Sequence, residues 1–203
     1  MTALYYVHSF GVIHRDIKPE NIMMFNPTED SDIRLVDFGL SKIMGPNEKC
    51  TENYGTLNYI APEVLLDQPY DMSADSWSLG IVVYLLITGC LPFDDVDQRE
   101  VIRQIIYDPV PFPKYIWTNY SQEAKSFVNS LLQRDPSKRM NMMEALEHSW
   151  IKKHEKINIE NALGQTGQIT KHLSDFQKYT HVITDSDIKD YNDLSKPKTP
   201  KNK

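Results

Sequence analysis

Apolar residues recur at helical spacing near the start of the chain, with Leu4, Val7 and Val12 on one side and Gly11 near the end. That pattern predicts a helix running through residue 13. Residues 22–25 and 33–37 (IRLVD) read as short strands, and the polar stretch NPTEDSD turns between them. From Gly39 to Asn58 no period is sustained and Gly, Pro, Asn and Thr are frequent, which predicts a long loop. Long ordered loops in compact domains are usually functional.

Beyond Pro62 the pattern turns helical. SADSWSLGIVVYLLITG, residues 73–89, is apolar on every face, as expected of a helix buried in the middle of a core. Further helices are predicted near 97–107, 121–132 and 141–149, separated by proline-bearing turns at 109–113 and 136. From about Lys156 the chain becomes polar, and SKPKTPKNK reads as a disordered end. Within that extension Ile169, Leu173, Phe176 and Val182 or Ile183 recur at helical spacing, predicting an amphipathic helix around 168–183. It either packs on its own domain or binds a partner. No internal repeat is present.

Composition narrows the classes. With 203 residues, 40% hydrophobic and 25% charged, the chain has room for one packed domain and a tail. A net charge of −6 argues against an electrostatic grip on nucleic acid and fits basic partners. Cys50 and Cys90 have neither metal-ligand spacing nor a disulfide-rich context and read as reduced thiols. The first residues lack a secretory signal, and the most apolar run, IVVYLLI at 81–87, is too short to span a bilayer. A cytoplasmic location is the expectation.

Candidate chemistry is concentrated in HRDIKPEN, residues 14–21, and DFG, residues 37–39. Phosphoryl transfer needs a carboxylate to receive the hydroxyl proton, metal ligands, and positive charge near the moving phosphate. Asp16 suits the first task, Asn21 and Asp37 the second as hard oxygen ligands, and Lys18 the third. GTLNYIAPE at 55–63 and DSWSLG at 75–80 follow in order, which makes chance an unattractive explanation.

Together these motifs resemble the C-terminal lobe of a eukaryotic protein kinase, over residues 1 to about 155. The resemblance implies a mainly α (α+β) lobe with a small β-hairpin, followed by an extension over 156–203. It implies ATP and Mg²⁺ as cofactors, Asp16 and Lys18 as catalytic residues, and Asn21 and Asp37 as metal ligands. Lys18, Glu20, Asn21, Met23 and Asp37 would form the nucleotide-binding set, with Met23 as the floor beneath the adenine. The lysine two residues after Asp16 is similar to the serine/threonine form rather than the tyrosine form. DFGLSK, YIAPEVL and LLQRDPSKRM are most similar to the calmodulin-dependent and calcium-dependent group.

Further roles follow from the same resemblance. Glu63 and Arg139 would form a buried ion pair, Asp75 would anchor the catalytic-loop backbone, and Thr56 would contact Asp16 and Lys18. Arg15, preceding the catalytic aspartate, calls for an anionic partner on the activation loop. Glu52 is placed to stand in for phosphate, with Thr51 as a phosphosite; a solvated Glu52 is the competing reading. Glu20 resembles a position that reads basic residues upstream of the acceptor Ser or Thr.

Two features depart from the pattern. DSDIKDYNDLSK, from Asp185, lacks the sixth-position Gly and ends in Lys, so it is not an EF-hand; any calcium sensor would act through missing segments. No glycine-rich loop, Val-Ala-Ile-Lys strand or glutamate-bearing helix precedes His14, so the N-terminal lobe is read as absent. A truncated piece, an incomplete gene model and a kinase-like module that never binds ATP all remain open. The expectation is a fragment of an active Ser/Thr kinase, acting on proteins near basic residues, with little or no activity alone. A non-catalytic interaction module is the alternative.

Overall fold

The computed structural model describes residues 1–24 and 33–155. The inter-strand turn NPTEDSD, the pattern at 168–183, the polar end and the segment from Asp185 lie outside the described residues.

The fold is built around one helix. Helix α1 (Thr2–Ser9) leads to strand β1 (Val12–Ile13), then to the hairpin β2 (Ile22–Met24) and β3 (Ile33–Leu35), and to β4 (Lys42–Ile43). Helices α2 (Pro62–Leu65), α3 (Ser73–Thr88), α4 (Gln98–Tyr107), α5 (Lys114–Trp117), α6 (Gln122–Leu131), α7 (Met142–Glu147) and α8 (Ser149–Glu155) complete it. The architecture is mainly helical with a small β-hairpin, as the resemblance implied, and with a second two-stranded antiparallel sheet, β1 with β4, that was not foreseen.

Helix α1 stops earlier than its apolar spacing suggested. Gly11 takes φ +72°, and a Cβ there would lie 3.0 Å from the Met44 carbonyl oxygen. Only glycine fits that left-handed, crowded turn. The chain reverses, and the β-branched pair Val12 and Ile13 joins β4, with Val12 opposite Ile43 and Ile13 opposite Lys42. Val12 therefore belongs to a strand, not to the helix. The stretch 39–58 is likewise less irregular than expected. It contributes β4 and a bridge between Cys50 and Tyr70.

The hairpin pairs Ile22 with Leu35, Met23 with Arg34 and Met24 with Ile33. Strand β3 ends before the expected residue 37 because Asp37 turns into positive φ, at 61°.

Helix α3 is buried from Ala74 to Val82 without a break, with Tyr84 and Leu85 beyond, so its apolar faces all find neighbours. It packs directly on α6, because Gly80 has no side chain: a Cβ there would come within 2.7 Å of Leu132 and 2.9 Å of Leu131. Gly89, at φ +76°, ends the helix, its amide reaching the Leu85 carbonyl. Helix α4 buries Val101, Ile102, Ile105 and Ile106 in one stripe, and Asp97 caps it by accepting from the Arg99 amide. Ser121 caps α6 in the same way, and Asn141 with Glu144 forms a capping box on α7.

Two boundaries in this half were not foreseen. The predicted helix at 141–149 is interrupted at His148, whose ψ of 140° separates α7 from α8. Helix α5 follows the proline-bearing turn at 109–113 and is only four residues long, too short for a period to register. Its Trp117 is fully buried among Tyr84, Phe112 and Tyr120.

One ion pair crosses this core. Arg139 donates to both carboxylate oxygens of Glu63, at 2.6 and 2.8 Å, and both residues are buried. Its remaining hydrogen bonds go to the carbonyls of Gln133, Ser73 and Arg134, and its guanidinium lies 5.3 Å from the Trp77 ring centre. Breaking a buried pair from one side costs about 3–5 kcal/mol. The two sides are not equivalent here. Glu63→Met leaves the guanidinium with three carbonyls, whereas Arg139→Met orphans a buried carboxylate and those carbonyls together. Urea unfolding should show both variants strongly destabilised and Arg139→Met the more so; the opposite order would contradict this account.

Candidate active site

The loop from His14 to Lys18 links β1 to the 3₁₀ turn Pro19–Asn21, and a carboxylate beneath it sets its path. Asp75, in the first turn of α3 and 1% exposed, accepts the backbone amides of His14 at 2.8 Å and Arg15 at 2.9 Å. It also accepts from His8 Nε2 of α1 at 2.8 Å. His8 carried no signal in the sequence, because its partner lies 67 residues away.

Arg15 and Asp37 both hold positive φ, at 69° and 61°. Non-glycine residues persist there only where neighbours over-determine them. For Arg15 those neighbours are Asp75 and the Leu40 carbonyl, which accepts from Nε at 2.5 Å. For Asp37 they are the adjoining residues. The Phe38 ring meets the His14 ring edge-on at 4.8 Å, and Asp37 accepts from the Gly39 amide at 3.2 Å. His14 donates from Nε2 to the Val36 carbonyl at 3.1 Å, while its Nδ1 accepts from the Asp16 amide. One imidazole thereby ties the HRD segment to the DFG segment.

Asp16 lies at the centre, 9% exposed. Its Oδ1 accepts from Thr56 Oγ1 at 2.9 Å, and its Oδ2 from Lys18 Nζ at 2.8 Å and Asn21 Nδ2 at 3.0 Å. Lys18 Nζ also donates to Thr56 Oγ1 at 2.9 Å, and Asn21 Nδ2 to the Asp16 carbonyl at 2.8 Å. The asparagine nitrogen is thus committed to Asp16, leaving its oxygen as the atom suited to a cation. The hairpin ties Val36, the residue before Asp37, to Asn21: the Val36 amide donates to the Asn21 carbonyl at 2.9 Å. The Asn21 amide oxygen and the exposed Asp37 carboxylate are each hard donors of the kind magnesium takes when substrate phosphates supply the rest. Among the described residues no group of three or more His, Cys, Asp or Glu could hold a metal by itself.

The other sequence candidates surround this centre. Met23 is half-exposed on β2, opposite Arg34 on the ladder that starts at Ile22. Glu20 buries both carboxylate oxygens and meets no hydrogen-bond partner among the described residues. It lies close enough to Tyr59 that its charge, after burial, helps push that phenol upward. Glu52 reaches Arg15 Nη1 at 3.4 Å and Lys42 Nζ at 3.5 Å, both partly exposed contacts. Backbone amide hydrogen bonding, followed by Lys42, holds the Glu52 carboxyl below its ordinary range. Thr51 is exposed beside it.

The family model described as "Protein kinase domain" matches residues 1–151. The chain belongs to the protein kinase family. It is 44% identical over 149 residues to the rat calcium/calmodulin-dependent protein kinase type 1B, covering 73% of this chain and 43% of that one. To the human serine/threonine-protein kinase H1 it is 40% identical over 148 residues, covering 72% of this chain and 35% of that one. The kinase chain thus spans less than half the length of these two relatives. No helix among the described residues is long and apolar enough to cross a membrane.

The contact most exposed to test is the one beneath the loop. An amide in place of the Asp75 carboxylate has one acceptor oxygen where three donors now converge, and its NH₂ faces N–H groups. Asp75→Asn should cost about 3 kcal/mol or more, since hydrogen bonds to a charged group are worth about 1.5–3 kcal/mol each. Hydrogen exchange should quicken most at the His14 and Arg15 amides; a loss of stability without that local signature would contradict the anchoring role.

Proposed function

We propose that this kinase chain carries the catalytic loop, metal ligands and peptide-docking segment of a serine/threonine protein kinase that transfers the γ-phosphoryl group of ATP to protein Ser or Thr. The observation carrying the reading is the clamp on Asp16, a carboxylate gripped by Thr56, Lys18 and Asn21 at 2.8–3.0 Å. Ionised, it is an acceptor only, and an acceptor hydroxyl presented to it would be oriented and relieved of its proton. Lys18, already within reach of that carboxylate, supplies positive charge as the phosphoryl group moves. Asn21 and Asp37 are the residues to hold Mg²⁺, which when bound neutralises phosphate charge.

Glu20 extends the reading to substrate class. A carboxylate with both oxygens buried and unpartnered costs stability until a cation meets it. That favours substrates with a basic residue near the acceptor Ser or Thr. Glu52, paired with Arg15 and Lys42, is the residue we assign to the activation-loop phosphate position, with Thr51 as an adjacent phosphosite. Calcium-sensor control, which the names of relatives such as the calcium/calmodulin-dependent kinase suggest, would act through segments outside the described residues.

Two measurements test the proposal, both made in a chain that carries both kinase lobes, since residues 1–203 alone should transfer little or nothing. Asp16→Asn keeps the shape of the clamp and removes the proton acceptor. Magnesium-dependent phosphorylation of a Ser-containing basic peptide should fall by about 10²–10⁴. Peptide binding without transfer, indifferent to ATP and to Asp37→Ala, would instead favour a non-catalytic module. Glu20→Gln should raise KM roughly tenfold or more for a peptide with arginine upstream of the serine, and leave a neutral peptide unaffected. Equal effects on both peptides would remove Glu20 from substrate selection.

A further inference from the structure

The segment between β4 and Thr56 is sewn to the loop that joins α2 to α3. Cys50 and Tyr70 form an antiparallel bridge, the Cys50 amide donating to the Tyr70 carbonyl at 2.7 Å and the Tyr70 amide to the Cys50 carbonyl at 2.9 Å. The Tyr70 hydroxyl then donates to the Glu52 carbonyl at 2.6 Å. Tyr70 is 3% exposed and Cys50 fully buried, so the bridge lies away from water, while the Tyr70–Glu52 bond is partly buried. Two exposed contacts flank them, Lys49 with Asp71 and Asn53 with Asp67. Exposed pairs of that sort contribute little, which leaves Tyr70 as the principal fastening.

What the fastening holds is close to the chemistry. Glu52, whose main chain Tyr70 fixes, sends its carboxylate to Arg15. Arg15 in turn lies 4.8 Å from the centre of the Tyr54 ring. Two residues on, Thr56 bonds Asp16 and accepts from Lys18. Only five residues separate the bridge at Cys50 from the clamp at Thr56. A segment tied at both ends presents its middle in one arrangement.

We propose that Tyr70 is a positioning residue: by holding the main chain at Cys50 and Glu52 it presents Thr56 to Asp16 and Lys18 without any phosphate on the loop. The consequence for catalysis rests on the kinase reading, whereas the fastening itself is geometric and can be measured apart from it. Burial also keeps the Tyr70 hydroxyl protonated, its pKa pushed up from the ordinary phenol value, so the donor persists at any working pH.

The test uses Tyr70→Phe, which keeps the ring and removes the hydroxyl, with Ile106→Val in α4 as a remote core control. Cys50 is the reporter. In the parent chain exposed Cys90 should react quickly with a disulfide reagent and buried Cys50 slowly. Tyr70→Phe should speed Cys50 labelling and hydrogen exchange over 49–56 roughly fivefold, the factor expected for one lost hydrogen bond of about 1 kcal/mol. Ile106→Val should leave both unchanged. Equal rates in the parent and Tyr70→Phe, or the same acceleration in Ile106→Val, would overturn the proposal. So would a peptide KM, measured in a chain that carries both kinase lobes, that stays unchanged in a Tyr70→Phe variant whose loop has opened, because positioning predicts a rise. Absence of phosphoryl transfer in parent and variant alike is what a kinase fragment with little or no activity alone gives, and it leaves the labelling result to decide the fastening.

Discussion

One buried carboxylate sets the geometry of the catalytic loop. Asp75 is nearly inaccessible, yet it receives two backbone amides and an imidazole from two other elements. A charge in that position is costly unless its oxygens are well supplied with donors. Here the donors are the loop itself. Satisfying Asp75 and folding residues 14–15 are therefore the same event, and the left-handed Arg15, a strain of about 1–3 kcal/mol, is offset by the bonds that cause it.

Asp75 can serve as a fixed point only if α3 does not move. The second ionic cluster meets α3 at the same end. Arg139 donates to the Ser73 carbonyl and lies against Trp77, while its guanidinium holds Glu63 of α2. The start of α3 is thus gripped from two sides, through Asp75 by the catalytic loop and through Ser73 and Trp77 by the brace. Further along, Gly80 lets α6 approach to ordinary contact with Leu131 and Leu132. A bulkier residue at position 80 would push α3 off α6, and the displacement would reach the loop through Asp75.

Much of this was legible in the sequence because the signals are dense. Motif residues named Asp16, Lys18, Asn21, Thr56, Glu63, Asp75 and Arg139, and the contacts among them are in place. The all-round apolar run at 73–89 identified the central helix for a physical reason: a helix with no polar face must be surrounded. What could not be read depends on distant partners or on very short elements. Gly11 stops α1 because Met44, far along the chain, occupies the space a side chain would need. The two-residue strands β1 and β4 have no period to display, and Tyr70 looks like any loop tyrosine until Cys50 and Glu52 are set beside it.

Three glutamates in this chain differ in state, and the difference separates support from function. Glu63 is buried and fully paired with Arg139, so both of its oxygens contribute to folding. Glu52 is partly exposed and shares loose contacts with Arg15 and Lys42, an arrangement that orders a loop at little desolvation cost and yields easily. Glu20 buries both oxygens without a partner among the described residues, which lowers stability with no structural return. An orphaned buried carboxylate is rare in a native fold and asks for a reason. On the proposed function, a cation arriving with substrate is the simplest one: the cost would be carried by the free protein and offset when the peptide docks.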